Sequence, residues 1–175
     1  MKNMKTALFC ALGVIIADQI SKAAVLYYFS NGGHTVEVAP FFNIVLAWNK
    51  GVSFSLFHSQ ALAPWALTPP AYVTAALLIC AVILHWMSME NDPKTRNCFG
   101  LILGGALGNV IDRVVHGAVV DFLDFHIGVH HWPAFNVADS AICVGAFFIL
   151  FWNIFILSPD KAPSSKKENK NDSNP

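Results

Sequence analysis

Gly104-Gly105-Ala106-Leu107-Gly108-Asn109-Val110-Ile111-Asp112-Arg113 decides how this chain is read. It closes an apolar run that begins near Cys98 and is long enough to cross a bilayer, yet it ends in an amide, an acid and a guanidinium. A charged side chain at a bilayer centre costs about 2.5–3.5 kcal/mol on insertion scales. A chain that keeps such groups at the ends of apolar segments is therefore using them. The pattern repeats in Phe135-Asn136-Val137-Ala138-Asp139-Ser140, and Val119-Val120-Asp121-Phe122 lies between the two.

The composition agrees with a membrane setting. Of 175 residues 55% are hydrophobic and 13% charged, about half the charge of a soluble domain, which carries about 25%, and the mean hydropathy is +0.50. The length suits one domain. The formal net charge is zero, which argues against a nucleic-acid partner, because neutralising phosphates needs a basic patch. Cys10, Cys80, Cys98 and Cys143 sit in apolar runs without a CxxC pair, so they read as small buried hydrophobes rather than zinc ligands or a disulfide framework.

Working outward, apolar runs predict four spanning helices at about 7–28, 68–89, 98–117 and 138–157. The first resembles a secretory signal, with Lys2 and Lys5 ahead of an apolar core. However, it lacks a well-placed small-x-small site, and the run continues past Asp18 and Lys22 to Phe29, so it reads as a retained helix. Eight of the eleven basic residues (Lys2, Lys5, Lys94, Arg96, Lys161, Lys166, Lys167 and Lys170) fall on one side of the four spans. The positive-inside rule then puts both termini in the cytoplasm. Trp65 and Trp132 fall at the outer ends and Trp86 and Trp152 at the inner ends, as interfacial belts do. Asp18, Lys22, Asn109, Asp112, Arg113, Asp121 and Asp139 then all lie in or near the outer halves, where one polar site could collect them.

The outer loop at about 30–67 holds two β-prone runs, 34–38 and 42–48, that predict short strands on the membrane face. A second outer loop, about 118–137, carries Asp121. Residues 158–175 are Lys, Ser, Asn and Pro rich and predict a disordered cytoplasmic tail. The expected architecture is an all-α membrane protein: four transmembrane helices in a single domain, residues 1–157, with a small extracytoplasmic sheet.

Asp18 and Lys22 are four apart with the acid first, the favoured order for a helical ion pair; they read as a structural pair, as a contact for a charged substrate group, or as both. Asn109, Asp112 and Arg113 share a helix face, and Gly104, Gly105 and Gly108 let another helix approach. Asp112 and Arg113 either neutralise each other or reach partners on other helices. That leaves Asp121, Asp124 and Asp139 without a basic neighbour in sequence. Asp139 falls in a first helical turn, where the dipole favours an anion and simple capping is the alternative. Asp121 has apolar neighbours that raise its pKa if it is buried. Asp124 lies further from the helix end and ranks behind it. Two carboxylates held close share a proton, so that one acts as base toward water and the other as acid toward a carbonyl oxygen. Such chemistry needs no metal and no cofactor.

Taken together, these residues resemble the lipoprotein signal peptidase (signal peptidase II) family. The resemblance covers nearly all of residues 5–157. It rests on Asp18-Gln19-Ile20-Ser21-Lys22, Asn49-Lys50-Gly51-Val52-Ser53-Phe54, Gly108-Asn109-Val110-Ile111-Asp112-Arg113, Val120-Asp121-Phe122 and Phe135-Asn136-Val137-Ala138-Asp139. It implies an aspartic endopeptidase of the bacterial inner membrane with Asp121 and Asp139 as the catalytic pair. The implied substrates are prolipoproteins with a lipobox, cleaved just before a diacylglyceryl-modified cysteine. It further implies that Asn49, Gly51, Asn109, Arg113 and Asn136 bind substrate or support the pair, that Asp18, Lys22 and Asp112 belong to the same polar set, that the outer loop forms a β-cradle, and that residues 52–64 gate the site. Membrane lipid is the expected surrounding partner, and the chain is expected to act as a monomer.

Three other readings compete. A proton-coupled transporter also keeps acids within spans, but four spans without an internal repeat count against it. A metallopeptidase built on His126, His130, His131 and Asp124 lacks the His-Glu-x-x-His helix pair; those histidines read as exposed interfacial groups. A purely structural membrane protein leaves the cost of the outer polar set without a purpose.

Overall fold

The computed structural model describes residues 4–51 and 69–155. The expected gate at 52–64, the tail at 158–175, and Lys2, Trp65 and the basic residues from Lys161 onward lie outside the described residues. Among the described residues, four helices are interspersed with the strands of one antiparallel sheet. They are α1 (Lys5–Ser30), α2 (Pro69–Met89), α3 (Pro93–His116) and α4 (Val137–Phe155), with β1 (Val36–Ala39), β2 (Phe42–Asn49), β3 (Val119–Ile127) and β4 (His130–His131). The sheet order is β1-β2-β3-β4.

Among the described residues, α1, α2 and α3 are long and apolar enough to cross a membrane, and the apolar part of α4, Val137–Trp152, is shorter. Their outward faces carry Phe9, Leu12, Ile16, Ile20, Leu78, Ile79, Phe147 and Leu150, all exposed. A soluble protein cannot leave so continuous an apolar surface to water. The chain is a membrane protein.

Helix α3 is the hub, packing on α1, α2 and α4. It starts at Pro93, five residues ahead of the expected 98, because helix chemistry rather than hydropathy sets its start. Asp92 accepts from the Thr95 backbone N–H and hydroxyl, both at 2.8 Å, with Pro93 at the first helical position, where a missing N–H costs nothing. It ends at Gly117, whose φ of 73° is the left-handed cap that glycine adopts freely.

The glycines of α3 serve two helices. Gly100, Gly104 and Gly108, four apart, face Ala7, Ala11 and Asp18 of α1, while Gly105 faces the Ala138 backbone on α4. A methyl at any of them would collide with that neighbour. The expected close approach is therefore real, but it is made on two sides at once. Below the polar site, Ala7, Ala11, Cys80, Ile83, Met87 and Leu103 form the apolar core. Of the four cysteines only Cys80 is buried; Cys143 is exposed and Cys10 and Cys98 are half-buried. Three of the four expected buried cysteines thus lie on helix flanks.

The first loop folds into strands nearly where expected. The second does not stay a loop: residues 119–127 form β3, the strand that joins the hairpin β1–β2 to the bundle. Val119, Val120, Phe122 and Phe125 are good strand formers between Gly117 and Gly128, but the acids at 121 and 124 interrupt the run and disguise it.

Candidate active site

The polar site is built where β3 returns to the bundle. Asp121, 2% exposed, receives the Asn136 amide on Oδ1 at 2.7 Å and the Asn49 amide on Oδ2 at 3.0 Å. Asp139, in the first turn of α4, receives the Asn109 amide on Oδ1 at 2.8 Å. Asn136 also donates to Asn109 Oδ1 at 3.2 Å. Two hydrogen-bonded asparagines therefore connect Asp121 to Asp139. Capping of α4 does not fall to Asp139: Asn136 Oδ1 accepts the Asp139 N–H at 2.9 Å and Asp18 Oδ1 accepts the Ala138 N–H at 2.9 Å. The Asp139 carboxylate is left for other work.

The amide orientations are fixed by their other partners. Asn109 Oδ1 accepts from Lys22 Nζ at 3.2 Å, so its NH2 must face Asp139. Asn49 Oδ1 accepts the Gly51 N–H at 3.2 Å, so its NH2 must face Asp121. Gly51 itself sits where a side chain would press on the Tyr72 hydroxyl, 3.3 Å from a would-be Cβ.

Behind the asparagines lies a buried charge cluster. Lys22 Nζ is 2.7 Å from Asp18 Oδ2 and 2.9 Å from Asp112 Oδ2, with all three side chains at most 3% exposed. With Asn109, that uses all three ammonium protons, the arrangement of a structural pair rather than of a group waiting for a substrate. Helix α1 spans about 39 Å at 1.5 Å per residue, and Asp18 lies near its middle. Such a charge is tolerable there only because it is paired and hydrogen-bonded. Asp112 and Arg113 do not neutralise each other by direct contact. Asp112 binds Lys22 and the Val120 N–H at 3.0 Å, whereas Arg113 donates to Asn109 O at 3.3 Å and lies 6.0 Å from the Tyr72 ring centroid.

Every sequence-predicted residue of the site (Asp18, Lys22, Asn49, Gly51, Asn109, Asp112, Arg113, Asp121, Asn136 and Asp139) belongs to this one assembly. Gln19 was missed. Its amide donates to Asp18 Oδ2 at 3.2 Å, Gly108 O at 3.3 Å and Asp112 Oδ1 at 3.0 Å, tying α1 to α3 through both carboxylates that hold Lys22. The signal was present: it is an amide beside an acid in an apolar run. Tyr72, on α2 between Gly51 and Arg113, gave no sequence signal at all.

Asp124 is not in the assembly. It pairs with Asn43 at 3.1 Å and with His131 Nδ1 at 2.9 Å. His130 and His131 are exposed as expected and His126 is half-buried; His131 also holds Asp124 and stacks on His126 with ring centroids 4.7 Å apart. The two acids of β3 are three residues apart and so point to opposite faces. A bulge in β2 matches this: Asn43 pairs with Asp124 and Ala47 with Asp121, four residues against three, with the irregularity between Ile44 and Ala47. The irregularity lets Asn43 face Asp124 and Asn49 face Asp121, although a regular strand would put both asparagines on one face. Burial pushes the Asp121 carboxyl up to about 6; the nearby Asp139 charge adds to this, and the Asn49 and Asn136 hydrogen bonds oppose it. Asp124 is held below the ordinary value, because hydrogen bonds from His131 and Asn43 outweigh its partial desolvation. Acid and conjugate base of Asp121 therefore coexist at mildly acidic to neutral pH on one side of β3.

The comparisons with known proteins follow the same lines. Residues 10–155 match the family Signal peptidase (SPase) II. The lipoprotein signal peptidase of Paraburkholderia phymatum is 46% identical over 144 residues, covering 81% of this chain and 82% of that protein. That of Vibrio cholerae is 43% identical over 147 residues, covering 82% and 83%. Two bacterial membrane enzyme structures solved by the in meso method share the fold. The one at 2.3 Å resolution has a TM-score of 0.70 at 26% identity, covering 94% of each chain. The one at 1.9 Å has a TM-score of 0.68 at 28% identity, covering 86% of this chain and 94% of that one. With all but the first turns of α1 in the described bundle inside the matched region, the chain belongs to the signal peptidase II family.

Proposed function

We propose that the chain is an intramembrane aspartic endopeptidase that removes the signal peptide from prolipoproteins. It cleaves before a diacylglyceryl-modified cysteine in a lipobox, with Asp121 and Asp139 as the catalytic pair. One observation carries this reading: two carboxylates, each held by an amide, are joined through the hydrogen-bonded asparagines Asn136 and Asn109. Family membership supplies the substrate class, since the curated relatives are lipoprotein signal peptidases.

In this reading Asp121 enters as the acid and Asp139 as the carboxylate. Asp139 takes a proton from water as the water oxygen attacks the scissile carbonyl, and Asp121 protonates the carbonyl oxygen. The tetrahedral diol then collapses: one hydroxyl returns its proton to Asp121 as the carbonyl re-forms, the C–N bond breaks, and the proton on Asp139 passes to the leaving nitrogen. The products are a signal peptide carboxylate and a lipoprotein with a free amine on its lipidated cysteine. Asn109 and Asn136 orient both acids, while Lys22, Asp18, Asp112 and Gln19 hold Asn109. Gly51 and Arg113 are placed to meet substrate. A diacylated substrate stays in the leaflet, because acyl chains contribute about 0.8 kcal/mol per buried methylene, so access is lateral. The site opens toward the outer face of the bacterial inner membrane, with both termini in the cytoplasm.

The test is cleavage of a diacylglyceryl-modified lipobox peptide by the detergent-purified chain, with and without a chelator, against Asp121→Asn and Asp139→Asn. Chelator-resistant cleavage lost in both variants supports the pair. Cleavage surviving either substitution in a folded variant ends the assignment.

A further inference from the structure

The end of the sheet away from Asp121 is apolar in a way that neither the fold nor the proposed chemistry requires. Ile127 is 85% exposed, Val129 87% and Trp132 64%, all on the β3–β4 hairpin; Val38 and Phe41, at the β1–β2 turn, are also exposed. The two turns adjoin, since the His126 N–H donates to Phe41 O at 3.0 Å and the Trp132 N–H to Phe125 O at 2.7 Å. The five exposed side chains therefore lie at the same end of the sheet.

Three features say what covers it. Turn apices favour Gly, Asn, Asp and Ser. Here Ile127 pairs with His130 across Gly128-Val129, Gly128 takes the positive φ of 59°, and the other apex residue is valine. Edge strands in water are normally guarded by charged side chains, yet no Asp, Glu, Lys or Arg occurs between Asp124 and Asp139. The polar groups nearest the tip are the histidines His126, His130 and His131, with Asp124 behind them. A tryptophan at a turn tip beside polar ring nitrogens is the side-chain mixture of a membrane–water interface. The patch also belongs to a chain whose helices already present apolar faces to lipid.

We infer that the β3–β4 hairpin tip, with the Phe41 turn beside it, is a membrane-inserted foot. It buries Ile127, Val129 and Trp132 in the leaflet at the sheet end of the bundle, so that β3 is fixed at two points, at Asp121 in the bundle and at Ile127 in the lipid. The inference rests on the chain being a membrane protein and is independent of the catalytic pair.

The test uses the full chain in phosphatidylethanolamine–phosphatidylglycerol vesicles. A nitroxide is placed at Val129→Cys, and separately at Glu37→Cys as a charged-strand reference, in a chain with Cys10, Cys80, Cys98 and Cys143 replaced by alanine. The inference expects the label at 129 to relax with oxygen and be shielded from a water-soluble nickel chelate, with the reverse at 37. Nickel access at 129 would place the tip in water and overturn it. So would shielding from both reagents, or dipolar broadening between labels at 129, since either means a protein partner covers the tip. A second measurement leaves the cysteines untouched. The fluorescence difference between the native chain and Trp132→Phe should be lost when the vesicle acyl chains are brominated near the headgroup; a difference that survives bromination overturns the inference.

Discussion

The two faces of β3 carry one carboxylate each, three residues apart, and they behave oppositely. Asp121 faces the bundle, where burial and a second acid push its carboxyl up to about 6. Asp124 faces the hairpin, where His131 and Asn43 hold its carboxyl below the ordinary value. The residue type is the same and the strand is the same. The difference lies in what each acid is given: Asp121 has neutral amide donors and a neighbouring acid, and Asp124 has an imidazole that can take a positive charge. A carboxyl that keeps a proton near neutrality can donate it, whereas one held below the ordinary value cannot.

The largest expected effect breaks this comparison directly. Asp121→Asn should lower cleavage by about 10²–10⁴-fold, the usual worth of a positioned acid or base, while Asp124→Asn leaves it near wild type. Equal losses in single-turnover assays would show that the two faces are not functionally distinct.

Next in size is stability. Lys22→Met leaves Asp18 and Asp112 buried without their cation, which should cost about 3–5 kcal/mol, partly recovered by adding Asp18→Asn. Breaking the pair on the other face with His131→Phe should cost at most about 1 kcal/mol, because His131 is half exposed and its pair is screened. Chemical denaturation in one detergent reads both. A smaller loss from Lys22→Met than from His131→Phe would sink the claim that the bundle side is the low-dielectric one.

The bulge sharpens the comparison further. Asn49→Ala removes the amide that the bulged strand brings to Asp121. Cleavage should fall by about tenfold, the equivalent of one hydrogen bond of ~1.4 kcal/mol at the acid, with less change in KM. Unaltered kcat would show that the Asn49 amide is not needed at Asp121.

The smallest effect is in pH dependence. The folded carboxyl of Asp121 lies above its unfolded value of 3.8, so the folded state binds more protons between the two, and stability from this group is lost as pH rises through about 6. The melting temperature of Asp121→Asn relative to wild type should therefore climb from pH 4 to pH 8. For Asp124 the sign reverses: its contribution is present above the unfolded value and lost as pH falls below it, so Asp124→Asn should be relatively most destabilised at pH 7. Parallel curves for the two variants would remove the electrostatic distinction.

Much of this molecule was legible in sequence because membranes punish the wrong residue locally. Apolar run length gave the helices, and Asp18, Lys22, Asn109, Asp112 and Asp139 stood out because a charge or amide in lipid has to be used. Beside them, the resemblance to the signal peptidase II family pointed to Asn49, Gly51 and Asn136 as well. Gln19 was equally visible and was passed over, since an uncharged amide raises less alarm than an acid. What no local pattern could decide was partnership. That Asn109 and Asn136 meet to join Asp121 with Asp139, that Asp18 rather than Asp139 caps the start of α4, and that Tyr72 comes to Arg113 all depend on helices far apart in sequence packing through the glycines of α3. The strand nature of 119–127 was hidden for the same reason: its acids read as interruptions until the tertiary structure gave each a separate face. Hydropathy and charge act residue by residue and so determine which groups must be buried or paired. Which groups find each other is set by packing geometry and strand register, and these exist only once the chain has folded.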